Sequence, residues 1–206
     1  MNNPKDQSFV IFDVETTGLS PQGGDRIVEI AALKIKNMKV VKKFHSLVNP
    51  QREIPMGAFS VNGISQDMVK DAPASREILP DFCQFADGSA LVGHNVEFDL
   101  GFVCYELSLV NQYLDDNAPV IDTLKMARQL LPHLGRYPLW SVAQSLGIKS
   151  EQKHRAMADV ELTYDVFCNL VKMMGEKDIS EVGLLPNVLQ KYQPPKQVRN
   201  QATFQW

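Results

Sequence analysis

The chain contains 206 residues, of which 44% are apolar, and its 21 basic and 24 acidic residues give a net charge of −3. This composition predicts one globular domain that buries roughly 70% of its unfolded surface, and it excludes a protein that coats nucleic acid with a broad basic face. The three cysteines match neither a zinc site nor a disulfide framework, and no apolar run is typical of secretion or of a membrane span, so we expect a cytoplasmic protein that does not bind membranes.

The first elements predicted along the chain are three β-strands. Residues 9–12 form a continuous apolar run, which is typical of a strand buried on both faces. Residues 27–35 and 40–48 flank the turn residues Lys36 and Asn37 and predict an antiparallel pair that follows the first strand.

Strands and helices alternate in the rest of the chain. A helix with an apolar face is predicted to begin at Ser75 and to end before Gly88. A buried strand over residues 90–92 precedes a helix from 96 to about 110, and a short strand at 120–121 precedes helices at 123–131, 139–146 and about 156–174. This order predicts an α/β fold, a mixed β-sheet flanked by α-helices.

Four carboxylates occupy positions that packing alone does not explain. Asp13 and Glu15 end the first strand and point to the same face, because side chains in a strand alternate. Asp99 shares a helix face with apolar residues, and Asp159 begins an otherwise apolar helical stripe. Each acid alone is compatible with an ordinary strand end or helix cap. An unpaired buried carboxylate costs several kcal/mol, so we expect a positive partner for the group.

The nature of that partner follows from the charges nearby in the sequence. Four converging carboxylates without a compensating lysine or arginine are typical of a site for Mg²⁺ or Mn²⁺, and two such ions would hold a phosphodiester and a water in line. His154 is predicted to lie in the loop or cap before the last long helix, within reach of the same pocket. A histidine with an ordinary pKa could take the proton of that water near neutral pH.

Three blocks of the sequence resemble the DEDD-type (DnaQ-like) 3'-to-5' exonucleases in their histidine-containing branch. They are FVIFDVETTGLSP (9–21) with Asp13 and Glu15, LVGHNVEFDLGF (91–102) with Asp99, and HRAMADVELT (154–163) with His154 and Asp159. The resemblance covers residues 8–174 and implies a ribonuclease-H-like fold. It also implies hydrolysis of the 3'-terminal phosphodiester of a single strand, with release of nucleoside 5'-monophosphates.

The resemblance assigns roles to individual residues. Asp13, Glu15, Asp99 and Asp159 would bind two Mg²⁺ or Mn²⁺ ions, and His154 would act as the general base. The 3'-terminal nucleotide would be held by a loop and one residue beyond it, namely Thr16, Thr17, Gly18, Leu19 and Ile64.

The predicted organisation is a flexible N-terminus (1–7), an exonuclease domain (8–174) and a C-terminal extension (175–206) that ends in a mobile basic tail. The last residues, QATFQW (201–206), are faintly similar to peptides that bacterial replication proteins insert into the sliding clamp. The tail could therefore bind a DNA polymerase and its clamp.

Three interpretations stay open at this point. The protein is a proofreading nuclease similar to the epsilon subunit of bacterial DNA polymerase III, or a free-standing DNase or RNase-T-like RNA-trimming enzyme, or a non-catalytic docking module that acts through its tail. The sequence predicts neither the DNA or RNA preference nor the oligomeric state.

Overall fold

The structure is a computed structural model that describes residues 7–149, 155–175 and 178–191. Its centre is a five-stranded sheet in the order β3-β2-β1-β4-β5. The strands are β1 (Ser8–Thr16), β2 (Ile27–Lys36), β3 (Lys39–Leu47), β4 (Ala90–Gly93) and β5 (Val120–Asp122). Strands β1 and β2 pair antiparallel, as do β2 and β3, whereas β4 is parallel to both β1 and β5. The predicted mixed sheet flanked by helices is confirmed.

Eight α-helices accompany the sheet in the described part of the chain. They are α1 (Met56–Asn62), α2 (Gln66–Val69), α3 (Ser75–Ala86), α4 (Glu97–Ser108), α5 (Thr123–Leu130), α6 (Leu139–Ser145), α7 (Ala156–Met173) and α8 (Ile179–Val182). The short helices α1, α2 and α8 were not predicted. In α1 the large apolar residues Met56, Phe59 and Val61 are exposed, so its sequence carries no stripe that marks a buried helix face.

Helices cover both faces of the sheet, which explains why the central strands are almost continuously apolar. Phe12 of β1 packs with Phe82 of α3 in the core on one face. Phe9 of β1 packs edge-on against Phe167 of α7 in the core on the other face. Since side chains alternate along a strand, Asp13 and Glu15 lie on the same face of β1 as Phe9, which is the face that α7 covers.

The packed part of the chain continues beyond Met174. Gly183 accepts a backbone hydrogen bond from Asp122 (2.9 Å), and Leu185 donates one to Val120 (2.8 Å), so this segment lies along β5. A short 3₁₀ helix, Val188–Lys191, buries Val188 and Leu189 against the core. The predicted domain boundary at residue 174 stays a prediction, and residues 1–6 and 192–206 lie outside the described residues.

None of the described helices has the length and hydropathy needed to cross a membrane.

Candidate active site

Three of the four predicted acids meet at the carboxyl end of β1. Carboxylate oxygens of Asp13, Glu15 and Asp159 all lie within 4.8 Å of one another. Asp13 and Glu15 reach this point from adjacent positions on one face of β1, and Asp159 reaches it from the first turn of α7. The packing of α7 across β1 therefore assembles the cluster.

The fourth acid, Asp99, lies in the first turn of α4 and is 4% exposed. Its Oδ1 accepts a hydrogen bond from the backbone N–H of Val14 (3.0 Å), the residue between Asp13 and Glu15. Asp99 is therefore adjacent to the three clustered carboxylates but is not one of them. Its hydrogen bond ties the start of α4 to the strand that carries the other two acids.

The carboxyl groups raise one another's pKa. Burial first, and then the charges of Asp99, Glu15 and Asp159, hold the pKa of Asp13 well above its usual range. Burial and the charge of Asp159 raise the pKa of Glu15 to about 7. Burial raises the pKa of Asp99 to about 8, against the opposing effect of its hydrogen bond to Val14. Asp13, Glu15 and Asp99 therefore cannot all ionise near neutral pH unless a cation compensates their charge.

The donor set fits a hard divalent cation. All ligand atoms are carboxylate oxygens, which Mg²⁺ and Mn²⁺ prefer, and they come from rigid elements on both sides of the cluster. Arg155 lowers the pKa of Glu15, but its guanidinium is bound to another acid, Glu29. The residues present are therefore suited to hold a metal ion.

The predicted nucleotide loop follows β1 directly and is fixed by hydrogen bonds. Thr17 exchanges bonds with Arg26 through its backbone N–H (2.8 Å) and its hydroxyl (3.0 Å), and its hydroxyl also donates to Asp25 (3.2 Å). The hydroxyl of Thr16 donates to the carbonyl of Gly18 (2.6 Å). A Cβ at position 18 would collide with the carboxylate of Asp25, so a larger residue there requires the Asp25 side chain or the loop to shift. The sequence did not single out Asp25, whose side chain organises the loop.

Leu19 and Ile64 differ in their accessibility. Leu19 is 84% exposed at the tip of the loop, where an apolar side chain has no packing role. Ile64 is fully buried in a small cluster with Val28 and Val69. The neighbouring residue Asn62 donates a hydrogen bond to the carbonyl of Thr16 (3.3 Å). The assignment of both side chains to a terminal nucleotide stays a prediction.

Glu29 in β2 is a site residue that sequence reasoning missed. Its carboxylate is 1% exposed and accepts two hydrogen bonds from Arg155, at 3.0 and 2.7 Å. It also accepts the backbone N–H of Ala156 (3.1 Å) and contacts His45 Nε2 (2.8 Å). A lone acid within the apolar run 27–35 was the signal that could have revealed it, because a strand buried on both faces has no solvent for a charge.

His154 lies outside the described residues, so its role as the general base stays a prediction. Arg155, the next residue, is described, and Glu29 holds it beside the acids. The chain therefore enters α7 next to the carboxylate cluster.

Comparison with protein families gives a match to the exonuclease family profile, described as RNase_T, over residues 10–167. This span includes all four acids and the predicted nucleotide loop. The family inferred from the three motif blocks is thereby confirmed.

Two bacterial relatives illustrate the sequence similarity. The chain is 40% identical over 183 residues to DNA polymerase III PolC-type of Caldanaerobacter subterraneus subsp. tengcongensis, and 37% identical over 170 residues to the 3'-5' exonuclease DinG of Bacillus subtilis. These alignments cover 88% and 82% of this chain but only 13% and 18% of the relatives. The chain thus spans less than a fifth of the length of either relative.

Solved structures show the same fold. Exonuclease X in complex with 5' overhanging duplex DNA superposes with a TM-score of 0.66 at 25% identity, covering 82% of this chain and 94% of that one. A 3'-exonuclease that recognises the histone mRNA stem-loop gives a TM-score of 0.71 at 17% identity, with coverage of 85% and 67%.

Proposed function

The chain belongs to the exonuclease family, and on this premise we propose that it is a metal-dependent 3'-to-5' exonuclease acting on single-stranded DNA. The observation that carries the proposal is the meeting of Asp13, Glu15 and Asp159 within 4.8 Å, beside the buried carboxylate of Asp99. Such a cluster destabilises the metal-free protein, and its purpose is explained if it binds cations that contact a phosphate.

The residues divide the work of hydrolysis. Asp13, Glu15, Asp99 and Asp159 would hold two Mg²⁺ or Mn²⁺ ions, which when bound would stabilise the charge that develops on the phosphate and lower the pKa of a water molecule. The backbone of Thr16 to Gly18 would hold the terminal nucleotide, with Leu19 against its base. His154 would take the proton of the attacking water, and a nucleoside 5'-monophosphate would leave.

DNA is the favoured substrate, and a polymerase context is the favoured setting. The similarity to a DNA polymerase III supports DNA as the substrate. We propose that the chain removes nucleotides from the 3' end of a growing DNA strand, as a proofreading activity in the cytoplasm. The alternative, RNA trimming, differs only by the 2'-hydroxyl that the site must accept. We also propose that the basic tail of the extension 175–206, which ends in QATFQW (201–206), docks on a polymerase or its clamp. A chain that docks without hydrolysing nucleic acid is the remaining alternative.

The test is digestion of 5'-labelled single-stranded DNA and matched RNA with Mg²⁺ or Mn²⁺, with and without EDTA. We expect a ladder that starts at the 3' end, is stronger for DNA and disappears with EDTA or in Asp159→Ala. The matched control is Asp165→Asn, which changes an exposed acid on the same helix. A stronger ladder on RNA would favour the trimming enzyme, and no ladder on either strand would refute the exonuclease activity.

A further inference from the structure

A groove opens at the carboxyl ends of β4 and β5, which is the end of the sheet at which the acids of β1 also lie. It has a volume of about 640 Å³, and its lining includes Asn95, Arg128, Arg136 and Tyr137. Its described lining residues include two arginines and no acid, and among the described residues neither guanidinium forms an ion pair. The groove therefore presents positive charge at the end of the sheet that carries the acid cluster.

The wall formed by residues 135–138 is held in place although it contains no helix or strand. His94 Nε2 donates to the carbonyl of Tyr137 (2.8 Å), and His94 Nδ1 bonds to the hydroxyl of Thr123 (2.9 Å). The hydroxyl of Tyr137 donates to the carbonyl of Leu131 (3.0 Å). Burial lowers the pKa of His94, so both ring nitrogens serve this structural role in the neutral ring. The groove is thus preformed.

The position of the groove relative to the acids gives the direction of a bound strand. A phosphodiester at the cluster has the terminal nucleotide on one side and the rest of the strand on the other. The loop after β1 turns back toward β2, where Thr17 bonds to Arg26 (2.8 Å). Strands β4 and β5 lie on the opposite side of β1 from β2. A single nucleic-acid strand whose 3' end occupies the loop therefore passes the acid cluster and continues toward the groove.

A short piece of chain joins the groove to the acids. Asn95 lines the groove and precedes by four residues Asp99, whose carboxylate lies beside the clustered acids. The groove and the acids therefore lie at the same end of α4. Trp140, 37% exposed and two residues beyond the lining residue Pro138, adds an aromatic face at this end of the molecule.

We propose that this arginine groove binds the phosphates of the single strand immediately upstream of the bond that is cut. The inference rests on the proposed exonuclease function and extends it, because it assigns the residues that discriminate a polynucleotide from a single nucleotide. Arginine suits this role because its planar fork donates to phosphate oxygens in pairs.

The test compares two substrates that differ in their upstream part. A long oligothymidylate has upstream phosphates, whereas the p-nitrophenyl ester of thymidine 5'-monophosphate has none. In Arg128→Gln/Arg136→Gln we expect the ratio of kcat/KM for the oligothymidylate to that for the ester to fall about tenfold or more, because two phosphate contacts are lost. The matched control, Lys36→Gln/Lys39→Gln, removes the same charge from the far end of the β2–β3 hairpin and should leave the ratio unchanged.

Equilibrium binding separates this inference from the proposed function. In an Asp159→Asn background, fluorescence anisotropy of a labelled oligothymidylate measures affinity without hydrolysis. We expect the arginine double variant to weaken binding and to make the slope of log affinity against log salt less negative by about 1.4, since each single-strand phosphate contributes about 0.7. Equal weakening in the lysine control, or an unchanged slope, would overturn the groove assignment, whether or not the wild-type protein hydrolyses DNA.

Discussion

At the scale of single residues, Glu15 shows how the acid cluster acts on stability. At low pH its carboxyl is protonated in both the folded and the unfolded chain, so it does not change the free energy of unfolding. Its ordinary pKa of 4.5 is raised to about 7 in the fold. As the pH rises between these values, the unfolded chain ionises first, and the folded state becomes relatively less stable. This loss of folding stability is complete above about pH 7, unless a cation is bound.

Replacing this charge should therefore stabilise the metal-free protein. We expect Glu15→Gln to raise the Tm in EDTA by roughly 5 °C at about pH 8 and to leave it unchanged at about pH 4. The same variant should lose metal-dependent hydrolysis, because a ligand is missing. Differential scanning calorimetry at the two pH values measures the first effect. Glu53→Gln, an exposed acid, is the control, and an equal rise in both variants would contradict the electrostatic explanation.

At the scale of elements, Glu29 joins β2 to the start of α7. Three of its four contacts fix Arg155 and Ala156, the fourth is to His45, and Asp159 follows within the first turn of the same helix. A buried carboxylate with these partners resists removal more than a surface ion pair does, because its loss leaves Arg155 and a helix N–H without their acceptor. The position of α7, and with it that of Asp159, depends on this residue.

We expect Glu29→Gln to lower the free energy of unfolding by roughly 2 kcal/mol and to weaken Mn²⁺ binding as α7 shifts. Urea denaturation and a Mn²⁺ titration measure the two effects. His45→Gln is the matched control: it removes a contact to the same carboxylate but leaves those of Arg155 and Ala156. If both variants lose the same stability, the bond from Glu29 to α7 is not what positions the helix.

The role of the loop after β1 can be tested by comparing a glycine in the loop, Gly18, with one in α1, Gly57. Gly18→Ala places a methyl group against the carboxylate of Asp25, so we expect the loop to shift and the KM for single-stranded DNA to rise about tenfold. Gly57→Ala in α1 meets no atom within 4 Å and should stabilise the protein by roughly 0.5–1 kcal/mol with an unchanged KM. Steady-state kinetics measure the KM of both variants, and urea denaturation measures their free energy of unfolding. An unchanged KM in Gly18→Ala would refute the role of the loop.

At the scale of the whole molecule, residues 178–191 complete the sheet edge. They pair with β5 and bury Ile179, Val182, Val188 and Leu189. The carboxylate of Asp122, whose backbone they bind, accepts hydrogen bonds from Asn95 (3.0 Å) and Leu124 (2.8 Å). This segment therefore supports the side of the sheet that carries the arginine groove.

Two truncations test this contribution. Removal of residues 176–206 deletes these four buried side chains, each of which contributes about 1.5–3 kcal/mol, and the sum approaches the whole stability of a typical domain. We expect this variant to be largely unfolded by circular dichroism. Removal of residues 192–206 should leave folding and hydrolysis intact and, under the docking proposal, abolish co-purification with a polymerase or its clamp. If the variant without residues 176–206 is folded and melts cooperatively, residues 178–191 are dispensable for folding.

Much of the fold could be predicted because its signals are local. The continuous apolar run at 9–12 predicts a strand buried on both faces, and residues 27–35 and 40–48 predict an antiparallel pair. The structure contains all three strands with this pairing. The helix α7 was predicted from Ala156 by its apolar stripe, and it begins there. The short helices α1, α2 and α8 were not, because each buries too few residues to impose a period on the sequence.

The sequence by itself determined which chemical groups are available and which face of each element carries them. Alternation along β1 placed Asp13 and Glu15 together, and the motif spacing identified Asp99 and Asp159. Only the tertiary structure decided which of these groups meet: three carboxylates cluster, while Asp99 binds the backbone of Val14. It also decided that Glu29 holds the start of α7 and that two arginines share one groove. Periodicity is a property of neighbours in the chain, whereas these contacts join residues from distant elements, and the packing of the helices on the sheet sets their distances.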